Sequence, residues 1–161
     1  MSSPSNVIVR AALAYLAAAV VGYLCAITFA TSANLINLAR IGADIGVGDA
    51  WRTWLFDLRG MTPRFTELAR YGNVMLIGFA IAFPVAMLVR FAALKAGGAS
   101  LAPLIFPLAG AVALGTGLTI MFQQYEVTAV AGARGWGFWA QCVAGAIAGF
   151  VFERVWARRG A

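Results

Sequence analysis

Charged residues cut this chain into long uncharged runs, and those runs limit what it can fold into more than any other feature. Between Arg10 and Arg40 lie 29 uncharged residues, and between Arg70 and Arg90 lie 19. Lys95 and Glu126 enclose 30, and Arg134 and Glu153 enclose 18. A helix needs about 20 mostly apolar residues to cross the hydrocarbon of a bilayer, within a range of roughly 17–25. All four runs qualify, the last narrowly, with spans near 11–35, 71–90, 101–123 and 136–153. The expected fold class is all-α: a polytopic integral membrane protein, built as a four-transmembrane-helix bundle in a single membrane domain over 1–161.

Composition leads to the same place. The chain is 62% hydrophobic and 11% charged, against about 45–50% and ~25% in ordinary soluble domains. A soluble fold of 161 residues could not hide so much apolar surface, so lipid must solvate part of it. The formal charge of +6 comes from twelve scattered Lys and Arg. Without a clustered basic face they mark loops and set topology, so the expected partner is the lipid bilayer and not nucleic acid.

Ligand supply closes several chemistries. The chain has no histidine and two cysteines, Cys25 and Cys142, both inside apolar runs. Bis-histidine haem ligation and the usual zinc sites are excluded on that ground, and no cofactor or metal is expected. Small buried thiols are favoured over a disulfide, which the sequence leaves open. A fluoride-channel pattern, the intramembrane glutamate of small multidrug transporters and a metal-transporter cysteine pair are all missing.

The first run is far longer than the ~7–15 apolar residues of a secretory leader. It is read as a retained helix, with cleavage near Ala30 and Ser32 as the alternative. Leu24 stands where a lipoprotein signal before Cys25 would need a small residue. Four spans put both termini on one side, with Arg10, Arg90, Lys95, Arg154, Arg158 and Arg159. The other side has Arg40, Arg52, Arg59, Arg64, Arg70 and Arg134, so a count of cations ties. The basic cluster ERVWARRG after the last span and the short basic 90–100 loop favour cytoplasmic termini. An Ala/Gly/Arg-rich composition of this kind is common among small bacterial inner-membrane proteins, which gives the expected location. Tyr71, Tyr125, Trp136 and Trp139 fall at span ends on the loop-1 side, and Trp156 at the opposite face, as headgroup-level aromatics do.

Loop 1 contains GDAWRTWLFDLRG. Asp49 fits an N-cap and Gly60 a stop. Trp51, Trp54, Leu55 and Leu58 recur at helical spacing, with Arg52, Asp57 and Arg59 mainly off that face. This predicts a short interfacial amphipathic helix near 50–59 with Trp51 and Trp54 as anchors. The other anchors are Trp136, Trp139 and Trp156. Thr62 and Pro63 read as a second helix start running on into the next span. A polar site built from Asp57, Glu67 and the arginines is the sharper alternative, and no motif supports it.

Small residues recur every fourth position in the first span, at Ala14, Ala18, Gly22, Ala26 and Ala30. Gly137, Gln141, Gly145 and Gly149 share a row in the fourth, and Ala111, Gly115, Thr119 and Gln123 in the third. Such stripes let backbones approach and are expected to pack the bundle. FPVAMLV (83–89) and FPLAGAV (106–112) echo each other and place Pro84 and Pro107 about 9 Å inside their spans at 1.5 Å per residue. Facing kinks there could widen a pocket near the 90–100 loop, although chance likeness is the simpler account.

Polar residues in the spans are few: Asn34, Asn37, Thr116, Thr119, Gln123, Gln124 and Gln141. Interhelical hydrogen bonding is their default role, and a solute pathway the sharper one. No charge lies deep in a span, which removes the usual mark of ion coupling. The sequence therefore favours a non-catalytic accessory, assembly or scaffold subunit with a membrane-protein or homo-oligomeric partner. An oligomeric small-solute transporter or channel is the alternative, and an enzyme ranks last.

Overall fold

A computed structural model describes residues 4–64, 66, 70–124 and 132–158, without the side chains of 4–6, 124 and 158. Its elements are α1 (Pro4–Arg40), α2 (Val47–Gly60), α3 (Tyr71–Lys95), α4 (Ala102–Gln124) and α5 (Trp136–Arg158). There is no strand among the described residues. Four of the helices are long and apolar enough to cross a membrane: Val7–Arg40, Tyr71–Lys95, Ala102–Gln123 and Trp136–Ala157. The molecule is a four-helix membrane bundle carrying one short extra helix.

Helix ends follow local chemistry. Gly42 (φ +92°) and Gly97 (φ +82°) close α1 and α3. In each case the residue after the glycine donates to the carbonyl five residues back, Ala43 to Leu38 (3.1 Å) and Gly98 to Ala93 (2.8 Å). That is the Schellman closure, which glycine permits at no steric cost. α2 starts earlier than the sequence indicates. Gly46 is its N-cap, and Asp49 sits in the first turn with Oδ2 accepting from the Gly46 N–H at 3.3 Å.

The expected helix start at Thr62 and Pro63 is not formed. Residues 61–64 are non-helical, and α3 begins only at Tyr71, behind an extended Arg70. The reason lies in where the Thr62 hydroxyl goes. It donates to the Leu58 carbonyl at 2.6 Å, satisfying the end of α2 instead of opening a new helix. The segment then folds against the start of α3, where the Met61 carbonyl accepts from Gly72 N–H and the Arg64 carbonyl from Asn73 Nδ2.

In space the spans run α1–α5–α4–α3, each neighbour antiparallel. Arg10 lies over Trp156 at one end of the α1–α5 pair, and Ala33 meets Gly137 at the other. The part of α1 inside the bundle is thus residues 10–33, about 35 Å of rise. The full 37-residue helix is about 55 Å long, well over the ~30 Å hydrocarbon. Its last seven residues project past the bundle, and α2 turns back from there.

The small-residue rows are the packing surfaces. Ala14, Ala18, Gly22, Ala26 and Ala30 are all buried; a Cβ on Gly22 would stand 2.8 Å from that of Ala148 and 3.1 Å from the Phe79 ring. Gly145 and Gly149 of α5 lie directly on the backbone of α4, against Gly110 and Phe106. Gly115 faces Cys142 and Phe138 of α5. Lipid gives no hydrophobic drive for helices to associate, so close van der Waals contact of this kind holds the bundle together. Toward the termini the core turns aromatic. Phe83 lies 4.6 Å from Phe152 and 6.4 Å from Phe106, and Phe106 lies 4.9 Å from Phe152.

Candidate functional site

Inside the bundle, one amide organises the half nearer loop 1. Gln141 of α5 is fully buried. Its Oε1 accepts from the Tyr71 hydroxyl at 2.6 Å, and its Nε2 donates to the Ala26 carbonyl at 2.8 Å. The node ties together α1, α3 and α5. Tyr71 is accordingly not a headgroup-level aromatic; it is 4% exposed and points into the core. A phenol whose polar tip has a partner inside the bundle gains nothing by staying at the surface.

A second polar group holds α2 to α1. The buried Thr31 donates to Asp57 Oδ2 at 2.7 Å, and the Trp54 indole N–H donates to Thr28 Oγ1 at 3.1 Å. Tyr23 donates to the Leu58 carbonyl at 2.7 Å and lies 3.3 Å from Thr62 Oγ1. The Arg70 guanidinium donates to the Gly60 carbonyl. Trp54 and Leu58 pack on the bundle core, and Leu55 is half-buried. Trp51 stacks on Trp54 at 5.3 Å and is 60% exposed, while Phe56 is 76% exposed. The face read from sequence as lipid-facing is therefore shared between α1 and the surroundings, and Asp57 has a protein partner.

In a variant whose only tryptophans are Trp51 and Trp54, replacing Trp54 by Phe should leave emission that shallow brominated lipids quench strongly. Replacing Trp51 should leave emission quenched clearly less. Equal quenching of the two single-tryptophan proteins would mean that α2 lies off the bundle.

The residues weighed as a pathway do not meet around one shared space. Thr116, Thr119 and Gln123 are exposed on the outside of α4. Thr119 and Gln123 border a shallow hollow of about 390 Å³ with Arg134 and Phe138, while Thr116 and Thr119 border another of about 490 Å³ with Trp139 and Cys142. The Thr119 hydroxyl donates to its own helix at Gly115. Asn34 is half-buried beside Gly132, and Asn37 is exposed on the projecting end of α1. The Gln124 side chain, Glu67 and Tyr125 lie outside the described residues. Trp136 and Trp139 are exposed at the start of α5, and Trp156 packs at its other end.

A larger hollow than these two is an outward groove between α3 and α4, about 650 Å³. Gly78, Ala82, Ala109, Ala113 and Gly117 are among its lining residues, Val and Ile supply much of the rest, and Thr116 is its one polar residue. Neither Pro84 nor Pro107 lines it; both helices run on through their prolines. Among the described residues no cluster of three or more His, Cys, Asp or Glu could hold a metal ion.

Sequence reasoning reached Gln141 from its type and depth, and Asp57 only as a rejected alternative. It missed Tyr23, Thr28 and Thr31, whose hydroxyls look ordinary in an apolar run. Comparison with family models, with curated proteins and with solved structures finds no match to this chain.

Proposed function

We propose that this protein is a non-catalytic accessory, assembly or scaffold subunit of a bacterial inner membrane. The observation that supports this reading best is the commitment of Gln141. The one amide at the centre of the bundle spends its carbonyl and one N–H on Tyr71 and Ala26 and is shut off from every hollow described above. A solute pathway needs polar groups facing a shared space; here Thr116, Thr119 and Gln123 face outward from α4, Asn37 is exposed on the projecting end of α1, and Asn34 is half-buried beside Gly132. The small-residue faces of α1 and α5 are used within the bundle, so the small-residue surface left for a partner is the α3–α4 groove.

Purification from native membranes in mild detergent tests this. A stoichiometric membrane-protein partner is the expected result. A lone homo-oligomer whose thermal stability rises with an uncharged solute would replace this reading with that of a transporter.

The orientation proposed has both termini in the cytoplasm, on the strength of the basic tail and the basic 90–100 loop. With Cys25 and Cys142 replaced, a cysteine at position 98 should be labelled from the cytoplasmic side only, and one at position 48 from the outside only. Labelling of both from one side would overturn the arrangement.

A further inference from the structure

The end of the bundle away from α2 holds a cluster that none of the readings above uses. Glu153 of α5 is 9% exposed, and its Oε1 lies 3.7 Å from Nη2 of Arg90 on α3. That separation is an ion pair but too long for a hydrogen bond. Arg90 lies above the Phe106 ring at 5.9 Å, and its Nε is buried with no hydrogen-bond partner. A guanidinium carries five donors in a fixed fork, and a buried donor left unpaired marks a place where an acceptor belongs.

Charge points the same way. Arg154, the next residue on α5, is exposed with its guanidinium 4.7 Å above the Phe150 ring, so two cations border one acid. The excess is positive. Arg90 precedes the end of α3 by five residues, about 7 Å of rise, which puts it at the end of the apolar span, where headgroups begin. Val89 and Ile105, beside Arg90 and Phe106 in sequence, are at the termini end of the aliphatic α3–α4 groove.

We propose that Arg90, Arg154 and Glu153 form a binding site for the phosphate of an anionic phospholipid, one whose headgroup carries a single net negative charge. The Arg90 guanidinium, not locked into a bidentate pair with Glu153, turns its free edge to the phosphate oxygens, which suit its fork geometry. Glu153 holds Arg90 near the site and cancels one cation, so a net charge of minus one completes the balance. A zwitterionic headgroup brings no such charge.

Native mass spectrometry of the purified chain, titrated in turn with phosphatidylglycerol, phosphatidylcholine and inorganic phosphate, tests this apart from any question of a protein partner. Phosphatidylglycerol should bind about fivefold tighter than phosphatidylcholine for each arginine engaged. Arg154→Gln, at an exposed position, should lose about one such factor. The double variant Arg90→Gln with Glu153→Gln replaces the ion pair by a neutral pair and should remove most of the preference. Equal binding of the two lipids, or a preference that survives both variants, overturns the proposal. Inorganic phosphate that competes the lipid away at similar concentration identifies a free-anion site and overturns it as well.

Discussion

Gly145→Ala should destabilise the bundle by about 3 kcal/mol or more, the upper end of what overpacking costs, although it adds one methyl group. At this point α4 and α5 touch backbone to backbone: a Cβ on Gly145 would overlap the Gly110 carbonyl, and one on Gly149 the Phe106 carbonyl. Carbonyls inside a helix cannot turn aside as a side chain can. The two helices must separate, and every contact along their shared face weakens together. Gly22→Ala should cost less, because its overlap is smaller: the added Cβ would stand 2.8 Å from the Ala148 Cβ and 3.1 Å from the Phe79 ring, and it meets no backbone carbonyl. Gly48→Ala, with nothing within 4 Å, should be neutral or slightly stabilising. Thermal unfolding in detergent, followed by tryptophan emission, ranks the three. A Gly145→Ala protein as stable as wild type would mean that α4 and α5 stand farther apart than described.

Gln141→Leu should cost about 2 kcal/mol, by leaving the buried Tyr71 hydroxyl without a partner. Side-chain hydrogen bonds in membrane proteins average only ~0.6 kcal/mol and reach ~1.7, so most of the loss would come from the orphaned hydroxyl. The double variant Gln141→Leu with Tyr71→Phe should therefore be more stable than Gln141→Leu alone, since it removes that group too. If Tyr71→Phe brings no recovery, the Tyr71–Gln141 bond does not carry the effect.

What could be read from sequence divides by the range of the interaction. Four spans follow from the charges that bound them, and the rows at Ala14–Ala30 and Gly137–Gly149 follow from a spacing of four, which is a property of a single helix. The ends of the spans were less legible. α1 continues to Arg40 because nothing in TSANLINLAR stops a helix before Gly42. Thr62 and Pro63 have the form of a helix start, and only the closeness of the Leu58 carbonyl decides otherwise. The paired groups were hidden for a different reason. Tyr71 and Gln141 are 70 residues apart, and Thr31 and Asp57 26 apart. Each needs the order in which helices neighbour one another, and a single sequence holds no signal of that order. Amphipathicity gave α2 its existence and its apolar face, but a hydrophobic face is served equally well by lipid or by α1. Asp57 reaching Thr31 distinguishes the two.

If the chain holds a membrane-protein partner, as proposed, and passes no solute, that partner should be met on the α3–α4 groove. A photo-crosslinking residue placed at Val112, exposed in the α3–α4 groove, tests it most directly in native membranes, with Val20 on the exposed face of α1 as the comparison. One discrete adduct with a different membrane protein is expected from position 112, and little from position 20. Adducts only with a second copy of the chain, in a complex whose stability responds to an uncharged solute, would contradict it.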